Sequence, residues 1–124
     1  MPWSLEFTDG GRILKVLIQG RISSSEVSEI TRESVAAVAK TQVTRIVLDC
    51  ADAKMDVPIL DVYKLPDLYS AQGLSHQVHA AVIMSREGYR REIYEFYEDV
   101  CRNRGYFVRL FEQEQDAWNW VRES

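Results

Sequence analysis

Short apolar runs alternate with amphipathic segments along almost the whole chain. The unit is clearest between Ile46 and Leu65, where the apolar run Ile46–Leu48 ends at Asp49 and a second apolar pattern restarts at Asp56 after a polar connection. A short apolar run followed by a helix-start signal is typical of a buried strand that leads into a covering helix. The rest of the chain can be interpreted as earlier and later copies of this unit.

The chain opens with a pattern typical of a β-hairpin. Residues 3–8 alternate irregularly between apolar and polar side chains, and the pair Asp9-Gly10 follows directly. An Asp-Gly pair between apolar runs favours a tight primed turn, because glycine tolerates the positive φ that such a turn requires. The return strand runs over residues 12–18 and ends at Gly20. The first two strands are therefore predicted to be antiparallel neighbours.

Three further strands and four helices are predicted after the hairpin. Apolar runs predict strands over residues 45–49, 78–84 and 106–111, and helical spacing predicts helices over residues 23–40, 58–73, 89–103 and 114–122. The apolar stripe of the second helix is assigned to Ile59, Val62, Leu65 and Tyr69. Pro66 should kink or break that helix near its middle. Gly105 is well placed to end the third helix.

The predicted order is β-β-α-β-α-β-α-β-α, which defines an α/β fold in one domain over residues 1–124. Each strand after the hairpin is followed by a helix, and such units need right-handed crossovers between parallel strands. We therefore predict a mixed, mostly parallel five-stranded sheet with helices packed on it and one antiparallel strand at or near an edge. A chain of 124 residues is long enough to bury one core.

Charge and composition narrow the classes of function. The net charge of −4 argues against a nucleic-acid surface and against an anionic membrane surface, both of which favour basic proteins. No apolar run approaches the roughly 20 residues that a membrane helix needs. The N-terminus lacks the features of an export signal, so a cytoplasmic location is expected. Cys50 and Cys101 are then expected to be reduced thiols.

Several segments, taken in order, resemble the STAS domain of anti-sigma-factor antagonists, the SpoIIAA-like proteins. They are the hairpin running to Gly20, the strand Ile46–Asp49, the restart Met55-Asp56 and the tail Leu110–Trp120. The segment Cys101–Tyr106 is similar to one in a bacterial branch of small SpoIIAA-like proteins. The resemblance covers nearly the whole chain. It implies the fold and a surface that binds another protein.

One departure from the family pattern changes what the resemblance implies. The family carries Asp-Ser-Ser-Gly before the second helix, and a partner kinase, which is also the anti-sigma factor, phosphorylates the second serine. The matching positions here are Asp56-Val57-Pro58-Ile59. Asp56 is kept, but the ring of Pro58 has no hydroxyl that could accept a phosphate. The resemblance therefore argues against the usual phosphorylation switch.

Three aspartates near the end of the third strand are candidates for an acid pair or a cation site. Asp49, Asp52 and Asp56 follow that strand, and open α/β sheets bind ligands at the carboxyl ends of their strands. The simpler interpretation is that Asp56 caps the second helix and Asp52 stabilises a turn. Similarly, Ser23-Ser24-Ser25 could accept phosphate or hold an anion, but N-capping of the first helix is the simpler interpretation.

No metal site or cofactor is predicted. His76 and His79 are three residues apart, but no third ligand lies nearby for zinc. Cys101 should be buried or inert. The arginines of the third helix alternate with acids, and Arg91 and Glu95 can pair across one turn, so this face is interpreted as solvated.

The leading hypothesis is a non-catalytic STAS-like regulatory domain that binds another protein through the second helix and its preceding loop. The residues assigned to this surface are Asp56, Val57, Pro58, Asp61 and Lys64. Self-association as a homodimer is left open, because a sheet edge or an aromatic helix face offers a surface.

Two other functions are kept as alternatives. The first is a carrier of a small apolar ligand or lipid, since related SpoIIAA-like sheets have been likened to the CRAL-TRIO lipid-binding architecture. Tyrosines are dense on the second and third helices, and the residues assigned to such a pocket are Tyr63, Tyr69, Tyr89, Ser85 and Arg86. The second and weaker alternative is a hydrolase-type enzyme that uses Asp49, Asp56 or Ser85.

Overall fold

One five-stranded sheet and four helices make up the computed structural model, which describes residues 2–124. The strands are β1 (Trp3–Thr8), β2 (Ile13–Ile22), β3 (Arg45–Met55), β4 (His79–Ile83) and β5 (Phe107–Phe111). The helices are α1 (Ser24–Thr41), α2 (Ile59–Ala71), α3 (Arg91–Asn103) and α4 (Glu114–Glu123). The strand order is β1-β2-β3-β4-β5; β1 is antiparallel to β2, and all the other pairs are parallel. The predicted fold class is confirmed.

The sheet is covered on both faces, but unequally. Helices α1, α2 and α3 pack on one face over the larger core, which contains residues such as Ile30, Val62 and Ile93. Helix α4 covers the other face alone and buries Ala117 and Val121 in a second core. Strand β4 has buried residues on both sides, which explains why its sequence is almost continuously apolar.

The hairpin is confirmed, but its turn is not the tight primed turn that the sequence predicts. Thr8 is opposite Ile13, so the four residues Asp9 to Arg12 connect the strands. The Arg12 N–H donates to the Thr8 carbonyl at 3.1 Å, and a short 3₁₀ segment fills the turn. Asp9 and both glycines have positive φ. The Asp-Gly signal therefore identifies the turn but not its length.

Strand β3 is more than twice as long as predicted, and the expected polar connection after Asp49 belongs to it. Residues beyond Asp49 extend past the end of β4 and pair with β2 as far as Met55, which is opposite Ile22. The pairing contains a bulge, since Leu17 is opposite Asp49 but Gln19 is opposite Asp52. The extra residue in β3 shifts the pairing by one, so the side chains beyond it alternate between the two faces of the sheet in a new phase.

The sequence predicts a kink or a break at Pro66; helix α2 is continuous through this residue, so a break is wrong. The helix begins at Ile59, with Pro58 as its N-cap in an extended conformation, and the Pro66 ring is fully buried. Packing of the ring in the core offsets the backbone hydrogen bond that proline cannot donate. Helix α3 begins at Arg91 and ends at Asn103, as predicted; Gly105 follows the C-cap Arg104 with a φ of +84°.

Candidate functional site

The loop between β3 and α2 is held by side chains from two other parts of the fold. Asp56 accepts a hydrogen bond from Arg21 Nη1 at 2.7 Å and another from the Tyr89 hydroxyl at 2.7 Å. Arg21 lies near the end of β2, and Tyr89 lies between β4 and α3. The Tyr89 bond and the Arg21 ion pair lower the pKa of Asp56, because both stabilise its charged form. Asp56 is therefore ionised at neutral pH.

Arg90 fixes the backbone of the same loop. Its guanidinium Nη1 donates to the carbonyl of Met55 at 3.1 Å and to that of Val57 at 2.8 Å. Arg90 is the N-cap of α3 and adopts the left-handed conformation, with φ of 50°. This conformation costs a non-glycine residue about 1 kcal/mol or more. The two hydrogen bonds to the loop help to offset that cost, so the loop enters α2 in a defined direction.

The five residues assigned to the partner surface are close in the chain but differ in exposure. Pro58 and Lys64 are exposed, and Asp61 is half-buried. Asp56 is also exposed, although its carboxylate accepts the two hydrogen bonds described above. The side chain of Val57 is buried in the core, so this residue presents only its backbone to the loop surface.

Asp61 connects α2 to the first turn of α1. Its Oδ2 accepts a hydrogen bond from the Ser24 hydroxyl at 2.7 Å. A cleft of about 270 Å³ lies between the two helices, and Asp61, Lys64, Ser24 and Ser25 line it together with apolar residues. The candidate surface therefore continues from α2 on to α1, which the sequence did not indicate.

Three large apolar side chains are exposed on the first turns of α2. The exposed fractions are 54% for Ile59, 59% for Leu60 and 48% for Tyr63. The assignment of Ile59 to the buried stripe is therefore wrong, whereas Val62 is buried. Exposed apolar side chains that lie together are typical of protein interaction sites, whereas single ones are ordinary. Leu60 is not among the residues that the sequence predicts for this surface.

Tyr63 joins this exposed group to α3. Its ring stacks on Phe96 with centroids 6.5 Å apart, and the Arg104 guanidinium lies 5.9 Å from the ring centroid. Arg104 also forms an ion pair with Asp67 of α2. Tyr63 therefore belongs to the outer surface of α2 and not to an interior pocket.

An apolar cavity of about 140 Å³ lies between the sheet and helices α1 to α3. Five residues are assigned to a ligand pocket from the sequence. Within the described part of the chain, Tyr69 lines this cavity and the other four do not. Tyr69 and Tyr97 share a hydrogen bond of 2.6 Å between their hydroxyls. Tyr94 and Tyr106 also line the cavity. A tyrosine-lined cavity exists, but with a different set of residues.

The remaining pocket residues lie at the loops near Asp56. Tyr89 donates to Asp56, and Arg86 donates from Nε to Asp52 at 3.1 Å. Ser85 is half-buried in the turn before Tyr89. The structure does not bring these residues together with Tyr69 around one pocket.

The three aspartates do not converge on one site. Asp49 accepts the backbone N–H of Ala51 at 3.1 Å, Asp52 binds Arg86, and Asp56 binds Arg21 and Tyr89. Asp49 lies within β3, because that strand continues beyond it. Each carboxylate thus has its own partner, and the arrangement supports three local contacts.

The other candidate groups have structural partners. Ser23 caps α1 in a capping box: the Glu26 N–H donates to its hydroxyl at 3.3 Å, and the Ser23 N–H donates to the Glu26 carboxylate at 2.9 Å. His76 stacks on Tyr106, and His79 stacks on Phe107. Arg91 pairs with Glu95 at 3.7 Å, as predicted.

Cys50 and Cys101 are both free and buried, as the sequence predicts for Cys101. Burial raises the pKa of each thiol to about 12, because the thiolate would lose its hydration. Both groups are therefore protonated at neutral pH and are poor nucleophiles.

The sheet order, the antiparallel first strand and the placement of the helices define a protein of the SpoIIAA-like, or STAS, fold class. Solved structures with this fold include an uncharacterized DUF3478-family protein from Shewanella loihica PV-4, which is 15% identical, with a TM-score of 0.62 over 96% of this chain and 91% of that one.

Two anti-sigma factor antagonists also share this fold with the chain, at a similarly low sequence identity. One from Mycobacterium paratuberculosis is 17% identical, with a TM-score of 0.67 over 97% of this chain and 92% of its own. Unphosphorylated SpoIIAA is 16% identical, with a TM-score of 0.61 over 98% of this chain and 99% of its own. No protein-family model matches the sequence, and no curated protein matches it. The similarity therefore shows the fold, which confirms the resemblance at that level.

No helix within residues 2–124 has the length and apolar character needed to cross a membrane. The cytoplasmic location stays a prediction.

Proposed function

We propose that this protein is a non-catalytic regulatory domain that binds another protein through the outer face of α2. The α2 face comprises the loop Asp56–Pro58, the exposed apolar residues of the first turns, and the polar residues beside them. Its side chains are Asp56, Pro58, Ile59, Leu60, Asp61, Tyr63 and Lys64. The observation that carries the proposal is the exposure of Ile59, Leu60 and Tyr63 next to a loop whose conformation is already fixed.

The composition of the α2 face indicates the chemistry of its partner. An apolar centre with charged residues around it is the usual arrangement of a binding site whose anchors become buried. Lys64 is exposed beside this centre and forms no ion pair with any described residue. We therefore expect a partner with an apolar patch that is bordered by an acidic residue.

Binding does not depend on phosphorylation at the usual position of the family. Pro58 has no hydroxyl, and its ring occupies the N-cap of α2. The contacts of Asp56 and Arg90 fix the loop without a modification. The anti-sigma factor antagonists with this fold support a regulatory role, and the α2 face is the part of this chain that suits it.

A non-catalytic role is supported by the state of the groups that could act in a reaction. The thiols are buried and protonated, and the three candidate aspartates are occupied by separate contacts. The remaining candidate nucleophile is the Ser85 hydroxyl, and the two histidines have other contacts: His79 Nδ1 lies 3.1 Å from the Gln77 carbonyl oxygen, and His76 stacks on Tyr106. A serine nucleophile needs a base such as histidine to be activated.

Site-specific photo-crosslinking in the host cell tests this proposal. The crosslinking amino acid p-benzoylphenylalanine would replace Leu60 in one variant and Phe7 in a control variant. Phe7 is also exposed, by 43%, but it lies on edge strand β1. We expect the variant at position 60 to form one dominant adduct with another protein that the variant at position 7 does not form.

The affinity for the crosslinked protein then tests the named residues. Leu60→Ser and Lys64→Ala should each weaken binding, Leu60→Ser by about fivefold or more, since a central apolar anchor contributes more than about 1 kcal/mol. Phe7→Ser should not change the affinity. Identical adducts at both positions, or full affinity in both α2 variants, would exclude the α2 face. An adduct of twice the chain mass would show a homodimer instead.

A further inference from the structure

Strand β1 is an edge of the sheet, and its outer backbone groups are unpaired within the described part of the chain. The Gln19 N–H donates to the Pro2 carbonyl at 2.7 Å, so the even-numbered residues of this segment direct their backbone groups to β2. The backbone groups of Trp3, Leu5 and Phe7 therefore point outwards. None of them forms a backbone hydrogen bond with a described residue. A row of this kind is a template for another strand.

The opposite edge of the sheet is protected against such pairing. On β5, the Leu110 N–H donates to the Glu98 carboxylate at 3.0 Å, and Val108, which points the same way by alternation, is 5% exposed. Strand β1 has neither kind of cover and pairs with β2 in an unbroken register. Its one charged residue, Glu6, lies 3.8 Å from Lys15 of β2. Bulges, covering groups and several charges are the usual means of blocking an edge, so the β1 edge is open.

The side chains of β1 form a pattern that is symmetric about Leu5. Trp3, Leu5 and Phe7 lie on the face that α1 covers, where Trp3 is buried, Leu5 is half-buried and Phe7 is 43% exposed. Ser4 and Glu6 lie on the other face and are exposed. In an antiparallel pair centred on Leu5, Phe7 of one copy would lie opposite Trp3 of the other, and Ser4 opposite Glu6. Apolar side chains would then meet apolar ones, and no two like charges would be directly opposed.

We propose that two copies of this protein pair their β1 strands antiparallel about a twofold axis at Leu5, which joins two five-stranded sheets into one continuous sheet. The pattern favours a second copy as the partner, because a twofold contact needs a surface that is complementary to itself. Sliding one strand by two residues would place Glu6 opposite its own copy or carry Phe7 beyond the other strand. The register centred on Leu5 avoids both.

The contact is small, so the dimer should be weak and reversible. It consists of two six-residue strands and their side chains, which places it among the small interfaces of transient complexes. We expect a Kd on the order of 10–100 μM. The surface contains no residue of the α2 face, and the inference goes beyond the function proposed above.

Charge changes at Ser4 test the dimer and its register together. Sedimentation equilibrium of the full-length chain would give the Kd of the wild type, Ser4→Glu and Ser4→Lys. Ser4→Glu places carboxylates opposite Glu6 of the second copy, and Ser4→Lys places ammonium groups there. We expect the first to weaken and the second to tighten the dimer, each by about threefold to tenfold, since two symmetry-related pairs contribute.

The matched controls are Gln115→Glu and Gln115→Lys, which change the net charge equally on the exposed side of α4. They should leave the Kd unchanged within about twofold, because exposed charges far from the contact are screened.

Disulfide trapping tests the register directly. Opposite residues without mutual hydrogen bonds have Cα atoms about 4.5 Å apart, which a disulfide can span, whereas diagonal neighbours are about 7–8 Å apart. Under mild oxidation, a mixture of Ser4→Cys and Glu6→Cys chains should therefore form a disulfide-linked dimer, and either chain alone should not. Cys50 and Cys101 are buried and do not compete.

Three results would overturn the proposal. They are a wild type that stays monomeric up to about 1 mM; the same Kd for Ser4→Glu and Ser4→Lys; and disulfide formation by either single variant but not by the mixture. In the cell, p-benzoylphenylalanine at position 7 should give an adduct of twice the chain mass, and a dominant adduct with a different protein there would also overturn it. Leu60→Ser should dimerise normally whether or not the α2 face binds a partner.

Discussion

Asp56 combines a fixed position with a charge that depends on pH. The Tyr89 hydroxyl and the Arg21 guanidinium both favour its ionised form, so its pKa in the folded protein lies below the ordinary value of 3.8. A group whose pKa is lower in the folded state stabilises the fold above its unfolded pKa. That contribution is lost as the pH falls through the folded pKa.

The variant Asp56→Asn tests whether Asp56 stabilises the fold in this pH-dependent way. The urea midpoint of the variant should lie below that of the wild type at pH 7, and the gap should close as the pH falls below about 3.8. Urea unfolding followed by circular dichroism at a series of pH values would measure it.

A second variant serves as the control for Asp56. Arg21→Ala combined with Tyr89→Phe keeps the carboxylate but removes both of its partners, so it should lose the same pH-dependent component. The difference in urea midpoint between Asp56→Asn and the wild type could instead stay constant down to pH 2. That result would show that the ion pair and the hydrogen bond do not cause the difference.

At the level of single residues, the sequence identifies Asp56 but not its partners. The position of Asp56 before α2 is visible in the chain, whereas Arg21 and Tyr89 come from segments 35 and 33 residues away. For Ile59, the sequence fails to predict the exposure of the side chain. This residue follows the helical spacing of the buried stripe, but spacing cannot show whether the core extends beneath the first turn.

Among the elements, α1 owes a measurable part of its stability to its first turn. The Ser23 hydroxyl and the Glu26 side chain satisfy two backbone N–H groups reciprocally. Ser23→Ala should lower the free energy of unfolding by about 1 kcal/mol. Ser28→Ala, within the same helix, is the control and should be neutral or slightly stabilising, since alanine is the better helix former. Equal losses in the two variants would contradict the capping role.

The elements that the sequence predicts well are those with a strong local signal. The apolar spacing and the capping residues of α1 are sufficient to predict that helix, and Gly105 is sufficient to end α3. The length of β3 has no local signal, because the residues beyond Asp49 are mostly polar or small. That half of β3 exists because β2 pairs with it, and such a partner is invisible in a linear pattern.

At the scale of the whole molecule, the two faces of the sheet should unfold together although one helix alone covers the smaller core. Val121 of α4 is fully buried against that core. Val121→Ala should lower the free energy of unfolding by about 2 kcal/mol, from the lost apolar contact and the cavity left behind.

The tryptophans allow a check of this cooperativity. Trp118 and Trp120 pack against the smaller core, whereas Trp3 lies in the larger one. In a Trp3→Phe background, fluorescence therefore reports on α4, while far-UV circular dichroism reports on the whole chain. The two transitions should coincide in the wild type and in Val121→Ala. An earlier fluorescence transition in the variant would show that α4 detaches by itself.

The strand order of the sheet also bears on how the chain is made. Each strand lies beside the strand that precedes it in the sequence, so no strand has to enter between two that are already paired. During synthesis, every new strand and helix can dock on the edge formed just before it, from the N-terminal hairpin onward. Helix α4 emerges last and closes the second face. The strand order of the sheet therefore allows these elements to assemble in the order in which they are translated.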